Sequence, residues 1–102
     1  MLIENGADVN AVDDEIKTAL HYTALCGHAD VAKVLIENGA DVNAVDKWKM
    51  TALHYAAEYE HVAVVKVLIQ NGADVNAVDD EIKTALHATA RYGYVDIVKV
   101  FC

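Results

Sequence analysis

No stretch of this chain approaches the roughly eighteen uninterrupted apolar residues that a membrane-spanning helix needs, although apolar residues make up 55% of it. The opening residues, MLIENGAD, have no basic region and reach Glu4 almost at once, so they do not read as a secretory signal. Nothing else addresses the chain out of the cytosol, and a cytoplasmic location is expected. Basic residues are scarce: eight Lys and Arg stand against sixteen Asp and Glu, a net charge of −8. That sign argues against nucleic acid or anionic membrane as partner, because phosphate contacts need clustered Lys and Arg. It favours solubility and, where the acids cluster, a basic partner. Cysteine occurs only twice, at Cys26 and Cys102, which is no disulfide framework. Two reduced thiols in a cytosolic protein are the simpler reading. Proline is absent altogether.

What is present is repetition. The segment LIENGADVNAVD at Leu2–Asp13 recurs unchanged at Leu35–Asp46, thirty-three residues later, and again at Leu68–Asp79 with Gln70 as the one substitution. The tetrad TALH keeps the same spacing, at Thr18, Thr51 and Thr84. A fixed period in this range is the signature of a stacked-repeat protein. Such arrays usually present an extended surface to a partner and do no chemistry of their own. The 102 residues make one small domain, able to bury roughly 60–70% of its unfolded surface. We expect a partial repeat over 1–11, repeats over 12–44 and 45–77, and a truncated repeat over 78–102.

Each period reads as helix, turn, helix and projecting finger. Thr18 can cap a short helix, its hydroxyl accepting a first-turn N–H. Ala19, Leu20, Ala24 and Leu25 then form a small apolar face, and Gly27 suits the left-handed conformation that ends a helix. A second helix is predicted from about Ala29 to Asn38, with Val31, Val34 and Leu35 at helical spacing and Asp30 in the first turn, where the macrodipole favours a carboxylate. Asn38-Gly39 and Asn71-Gly72 supply the next stops. Residues 40–50 are polar and turn-prone, too short for a third helix, and fit an extended loop or hairpin. No unit of this size buries its apolar face alone; stacking does that. Alanines 24, 56, 57 and 90 would let the first helices approach closely. The expected fold class is all-α, a solenoid of stacked helix–turn–helix units with short β-hairpin fingers.

T-A-L-H followed by A-L-C-G-H, then V-A-K-V-L-I-E-N-G-A-D-V-N-A, resembles the ankyrin repeat, and the resemblance covers the whole chain in three successive copies. It implies an L-shaped stack whose fingers and first helices form a concave recognition face, and members of that family overwhelmingly bind other proteins. Three departures stand out. Ala19, Ala52 and Ala85 occupy the place of the usual Pro after the capping Thr, a loss of preorganisation that should cost a little stability. Ile16, Lys49 and Ile82 replace the usual finger Gly, and Glu60 replaces the usual Gly between the helices of the middle repeat.

Candidate chemistry reduces to scaffold. His21, Cys26 and His28 could be drawn as a zinc cluster, but His54 and His87 repeat His21, His61 repeats His28, and no second Cys stands nearby. The resemblance implies instead that His21, His54 and His87 hydrogen-bond back towards Thr18, Thr51 and Thr84 and order the fingers. Cys26 lacks an orienting third group for nucleophilic work, and GADVN lacks the Lys and second Gly of a phosphate loop. Asn10, Asn43 and Asn76, with Asp8, Asp41 and Asp74, should bond the loop backbone before each finger. Their carboxylates stand one per repeat, too far apart for calcium. No enzyme, metal or cofactor is expected.

The positions that vary within the constant frame speak to recognition. After each finger Asp come Asp14-Glu15-Ile16-Lys17, Lys47-Trp48-Lys49-Met50 and Asp80-Glu81-Ile82-Lys83; on the first helices the variable pairs are Leu25-Cys26, Glu58-Tyr59 and Arg91-Tyr92. By the resemblance both sets lie on the concave side. Candidate partner-binding residues are therefore Asp14, Glu15, Lys47, Trp48, Met50, Glu58, Tyr59, Asp80, Glu81, Arg91 and Tyr92. An exposed Trp at a groove centre is a natural anchor; equally, Trp48 could merely cover apolar neighbours on the adjacent finger. The expected partner is a protein or peptide offering an apolar group to Trp48 and basic groups to Asp13, Asp14, Glu15, Asp79, Asp80 and Glu81. The rival reading is a structural or engineered array without a natural ligand. Starting at Met1-Leu2-Ile3 and stopping at Val100-Phe101-Cys102, both inside a second helix, such a chain would be expected to fray or self-associate end to end.

Overall fold

The computed structural model describes residues 7–81, 83–92, 95 and 99. The expectations placed on Met1–Ile3, Ile82 and Val100–Cys102 lie outside the described residues. Five helices are delimited within them: α1 (Ala19–Cys26), α2 (Ala29–Glu37), α3 (Ala52–Glu58), α4 (Val62–Gln70) and α5 (Ala85–Tyr92). The first helices of successive repeats, α1, α3 and α5, stack side by side; α2 and α4 stack behind them, each against the first helix of its own repeat.

Capping explains where the helices begin. Thr18 is extended (φ −90°, ψ 170°) and its hydroxyl accepts from the His21 amide, while the His21 ring accepts from the Thr18 amide at 3.0 Å. Thr51 and His54 repeat this reciprocal box, again with a 3.0 Å amide-to-ring bond. His thus does the work that Glu or Gln does in the usual capping box, and a good N-cap contributes about 1 kcal/mol. Helix α1 ends where Gly27 turns left-handed at φ 80° and its amide bonds to Thr23. The same turn after α3 keeps positive φ, 59°, at Glu60. Helix α2 stops at Glu37, one residue short of the prediction, with the Asn38 amide side chain donating to the Val34 carbonyl at 2.7 Å and Gly39 at φ 94°. Asn71 and Gly72 close α4 in the same manner.

The core runs between the two rows of helices, through Leu20, Ala24, Leu53, Ala56, Ala57, Val64, Val65 and Leu68. Ala24, Ala56 and Ala57 are fully buried, which is how the first helices come close. Ala90 departs from that expectation: it is exposed, and among the described side chains of α5 Ala85 and Thr89 are the buried ones. Val31 and Val34, predicted as the apolar spacing of α2, are exposed, and Ala32 is the buried residue of that helix. One period later Val64 and Val67 are buried, in a helix that also has Ala63 and Val65 where α2 has Asp30 and Ala32.

Each finger is a turn in which the Asp amide donates across to a carbonyl four residues on: Asp13 to Lys17, Asp46 to Met50 and Asp79 to Lys83, all at 3.0 Å. No paired strands form among the described residues of these fingers. Ile16 (φ 62°) and Lys49 (φ 61°) occupy the left-handed region where a Cβ costs roughly 1–2 kcal/mol. The turn persists because the aspartate at its base locks it. Asp13 Oδ1 accepts from the Glu15 and Lys17 amides, both at 2.9 Å. Asp46 and Asp79 accept from Trp48 and Met50, and from Glu81 and Lys83, in the same way. Single backbone bonds join consecutive fingers, from Lys47 to Glu15 (3.0 Å) and from Asp80 to Trp48 (3.1 Å).

Candidate interaction surface

The recurring polar residues tie one repeat to the next. His21 Nε2 donates to the Met50 carbonyl at 2.9 Å, and His54 Nε2 to the Lys83 carbonyl at 3.0 Å, each reaching the base of the following finger. With Nδ1 accepting from the Thr amide, both ring nitrogens are engaged in one neutral tautomer. Asn10 donates to the Gly39 carbonyl (3.1 Å) and accepts from the Asp41 amide (2.8 Å). Asn43 does the same with Gly72 and Asp74. Asp8, Asp41 and Asp74 accept from the amides of Asn10, Asn43 and Asn76. From the second repeat His61 reaches back, its Nε2 3.0 Å from the Leu25 carbonyl. Its ring fills the space beside Gly27, where an added Cβ would meet it at 2.5 Å.

A cluster that the repeat pattern did not single out lies between the first two fingers. Lys17 is only 7% exposed, and its ammonium sits 3.0 Å from Glu15 and 3.6 Å from Asp46, itself 4% exposed. The same ammonium lies 4.4 Å from the Trp48 ring centroid and 5.6 Å from that of Tyr55, distances at which a cation is drawn to an aromatic face. Lys47 approaches the same indole at 5.2 Å. Asp46 also accepts from the Tyr55 hydroxyl, as Asp13 does from Tyr22. Burial works to push the Asp46 carboxyl up, but the Tyr55 hydroxyl, the amides of Met50 and Trp48 and the Lys17 charge outweigh it and hold it below its ordinary value. Burial likewise pulls Lys17 towards neutrality, and Glu15 with Asp46 overcomes this, so its ammonium is held above its ordinary value. Tyr55 is pushed up by burial and then by its bond to Asp46. Tyr22, bonded to the exposed Asp13, is pushed up to about 12.

The candidate partner-binding residues fall into distinct places. Trp48, 39% exposed, lines a cleft of about 430 Å³ with Met50, Tyr55, Asp79, Asp80 and Glu81. Met50, Glu58 and Glu81 meet in a second cleft of about 350 Å³, between the second and third fingers and over α3 and α5. Asp14 and Lys47 are exposed on the fingers, and Glu15 is half-buried by Lys17. Tyr59, 52% exposed, stacks on His61 in the turn after α3, ring centroids 6.5 Å apart. Arg91 and Tyr92 lie in the last turn of α5, and their side chains fall outside the described residues. Asp13 and Asp79, read from the sequence as charges for a partner, each spend one oxygen on their own turn. Lys17, Asp46 and Tyr55 were the residues missed. For Lys17 and Tyr55 the signal was the interrupted period, Lys17, Met50, Lys83 and Tyr22, Tyr55, Ala88; Asp46 repeats as Asp13 and Asp79 and gave none.

Among the described residues no group of three His, Cys, Asp or Glu could hold a metal ion, and no helix is long and apolar enough to cross a membrane. In comparisons with known proteins, a family model described as ankyrin repeats, in three copies, matches residues 1–79 and 45–102. No curated protein matches the chain.

Proposed function

The chain belongs to the ankyrin-repeat family, and from that premise we propose that it is a non-enzymatic interaction module binding a protein or peptide across its fingers and first helices. Ankyrin repeats are generally protein–protein interaction modules and generally lack catalytic activity. The observation that carries the reading is the pair of clefts around Met50. They combine a half-exposed indole, a thioether and the carboxylates of Glu58, Asp79, Asp80 and Glu81 at one surface. Aromatic anchors beside apolar pockets dominate binding energy at interfaces, and the acidic rim selects a basic partner. The net charge of −8 works against nucleic acid and anionic membrane, and the partner class is a peptide or protein with basic and apolar groups.

Affinity capture with the intact chain against a Trp48→Ala variant tests this. A specific partner should be weakened by about 2 kcal/mol or more by the truncation, with little change in thermal midpoint. A large stability loss with unchanged affinity would return Trp48 to a packing role against Lys17 and Lys47. The near-identity of the repeats favours one rival, an array whose faces stack on further copies end to end. Light scattering over a concentration series separates it: growth in mass with no captured partner would replace the module reading.

A further inference from the structure

Two finger clefts share a backbone and differ in what fills them. The cleft between the first and second fingers is occupied from within, by Lys17 against Glu15, Asp46, Trp48 and Tyr55. One period on, Met50 stands in the place of Lys17, Ala88 in the place of Tyr55 and Glu81 in the place of Trp48, while Asp79 keeps the place of Asp46. Asp79 still locks its turn through Oδ1, accepting from Glu81 at 2.8 Å and Lys83 at 3.0 Å. Its other oxygen has neither partner that Asp46 has: Ala88 brings no hydroxyl and Met50 no ammonium. Replacing a tyrosine ring by a methyl group also leaves room. The resulting cleft of about 350 Å³ is open to solvent and has Met50, His54 and Ala88 as its walls. Three carboxylates, Glu58, Asp79 and Glu81, face it against a single ammonium, that of Lys83, which lies 3.4 Å from Glu81.

We propose that this cleft receives a lysine or arginine side chain from the partner protein, seated as Lys17 is seated in the neighbouring cleft. The aliphatic stem would lie on Met50 and Ala88, and the cationic head on the free oxygen of Asp79 and on Glu81. An apolar wall one side chain deep suits such a stem, and among the described residues no group of three His, Cys, Asp or Glu is placed to hold a metal ion instead. The occupied cleft is the internal template. The same aspartate position already holds an ammonium there, and the open cleft differs by lacking the residues that would fill it.

The proposal rests on the interaction-module reading, and its test is independent of any captured partner. The full chain, labelled for amide spectroscopy, is titrated with acetyl-Gly-Lys-Gly-amide and with the same peptide carrying norleucine. Saturable shifts confined to Met50, Glu81 and Lys83 are expected with the lysine peptide alone. Asp79→Asn keeps an oxygen for the two amides of the turn but loses the carboxylate charge, and should weaken binding about fivefold. Glu81→Gln serves the same purpose if Asp79→Asn disturbs the finger. Met50→Lys supplies the cation in cis and should abolish the response. Equal shifts with norleucine, or an undiminished response in both charge-removing variants, would overturn the proposal. Should the peptide fail while a captured protein still depends on Trp48, the cleft assignment falls and the module reading stands.

Discussion

Lys17 and Met50 hold the same place in successive repeats, yet Lys17 is walled in by Glu15, Asp46, Trp48 and Tyr55 while Met50 borders an open cleft. The frame around them is the same at both junctions. His21 and His54 reach the next finger, Asn10 and Asn43 clamp the next loop, and one backbone bond joins each pair of fingers. Stacking therefore does not need the lysine cluster. What the cluster changes is access: one junction is sealed by its own side chains, and the other leaves its carboxylates for something else. A repeat array separates the residues that stack it from the residues that face a partner, and comparing adjacent junctions tells them apart.

The sealed junction should break most readily at Gly27, which combines φ 80° with the His61 ring 2.5 Å from any added Cβ. Gly27→Ala should destabilise by about 3 kcal/mol, from the left-handed penalty and the clash together. A denaturant melt that moved by less than about 1 kcal/mol would show that neither the left-handed backbone nor the His61 ring resists an added Cβ.

Lys17→Met turns the sealed junction into a copy of the open one at its central position. It strips Asp46 of its counter-ion while leaving the Tyr55 hydroxyl and two amides on that carboxylate. The loss should be about 2 kcal/mol, below the range for a fully stranded buried charge. Met50→Lys, the reverse exchange, should leave stability within about 1 kcal/mol of the parent. Equal effects from the two substitutions in chemical denaturation would erase the distinction between the junctions.

Acid should reach the sealed junction in two stages. Burial holds the His21 imidazole below its ordinary 6.5, with the bond to the Met50 carbonyl working in the other direction. A histidine depressed in the folded state contributes its stability fully above pH 6.5 and loses it as pH falls through the folded value. Asp46 is depressed below 3.8, so its contribution is complete above that pH and is lost as pH falls through its lower folded value. Unfolding free energies measured from neutral pH down to about pH 3 should decline first through the histidine window. His21→Gln should flatten that first decline; an unaltered slope would mean that the imidazole does not sense the junction.

The smallest effect concerns the turn between paired helices, where Gly27 and Glu60 take the same left-handed conformation without and with a Cβ. Glu60→Gly should stabilise by up to about 1 kcal/mol by relieving that strain. An unchanged or lower denaturation midpoint would show that the glutamate side chain compensates for it.

The sequence alone determined what depends on neighbours along the chain. The period established the stacking of like units, Thr18 and Thr51 marked helix starts, and Gly27 and Glu60 marked the left-handed turn that the backbone does adopt. Each of these is settled within a few residues, by a cap or by the steric cost of a Cβ. Only the tertiary structure decided that His21 bonds a carbonyl 29 residues away, that Asn10 clamps the loop of the next repeat, and that Lys17 is buried on Asp46. It also decided that Val31 and Val34 face outwards while Val64 and Val67, on the same face of the next helix, are buried. Helical spacing does not separate these cases: α2 and α4 carry these valines at the same places and differ at Asp30/Ala63 and Ala32/Val65, and each helix also has its own neighbours in the stack. Contact across repeats is set by what lies above and below, and a one-dimensional pattern carries the spacing of the layers but not which side chain each layer meets.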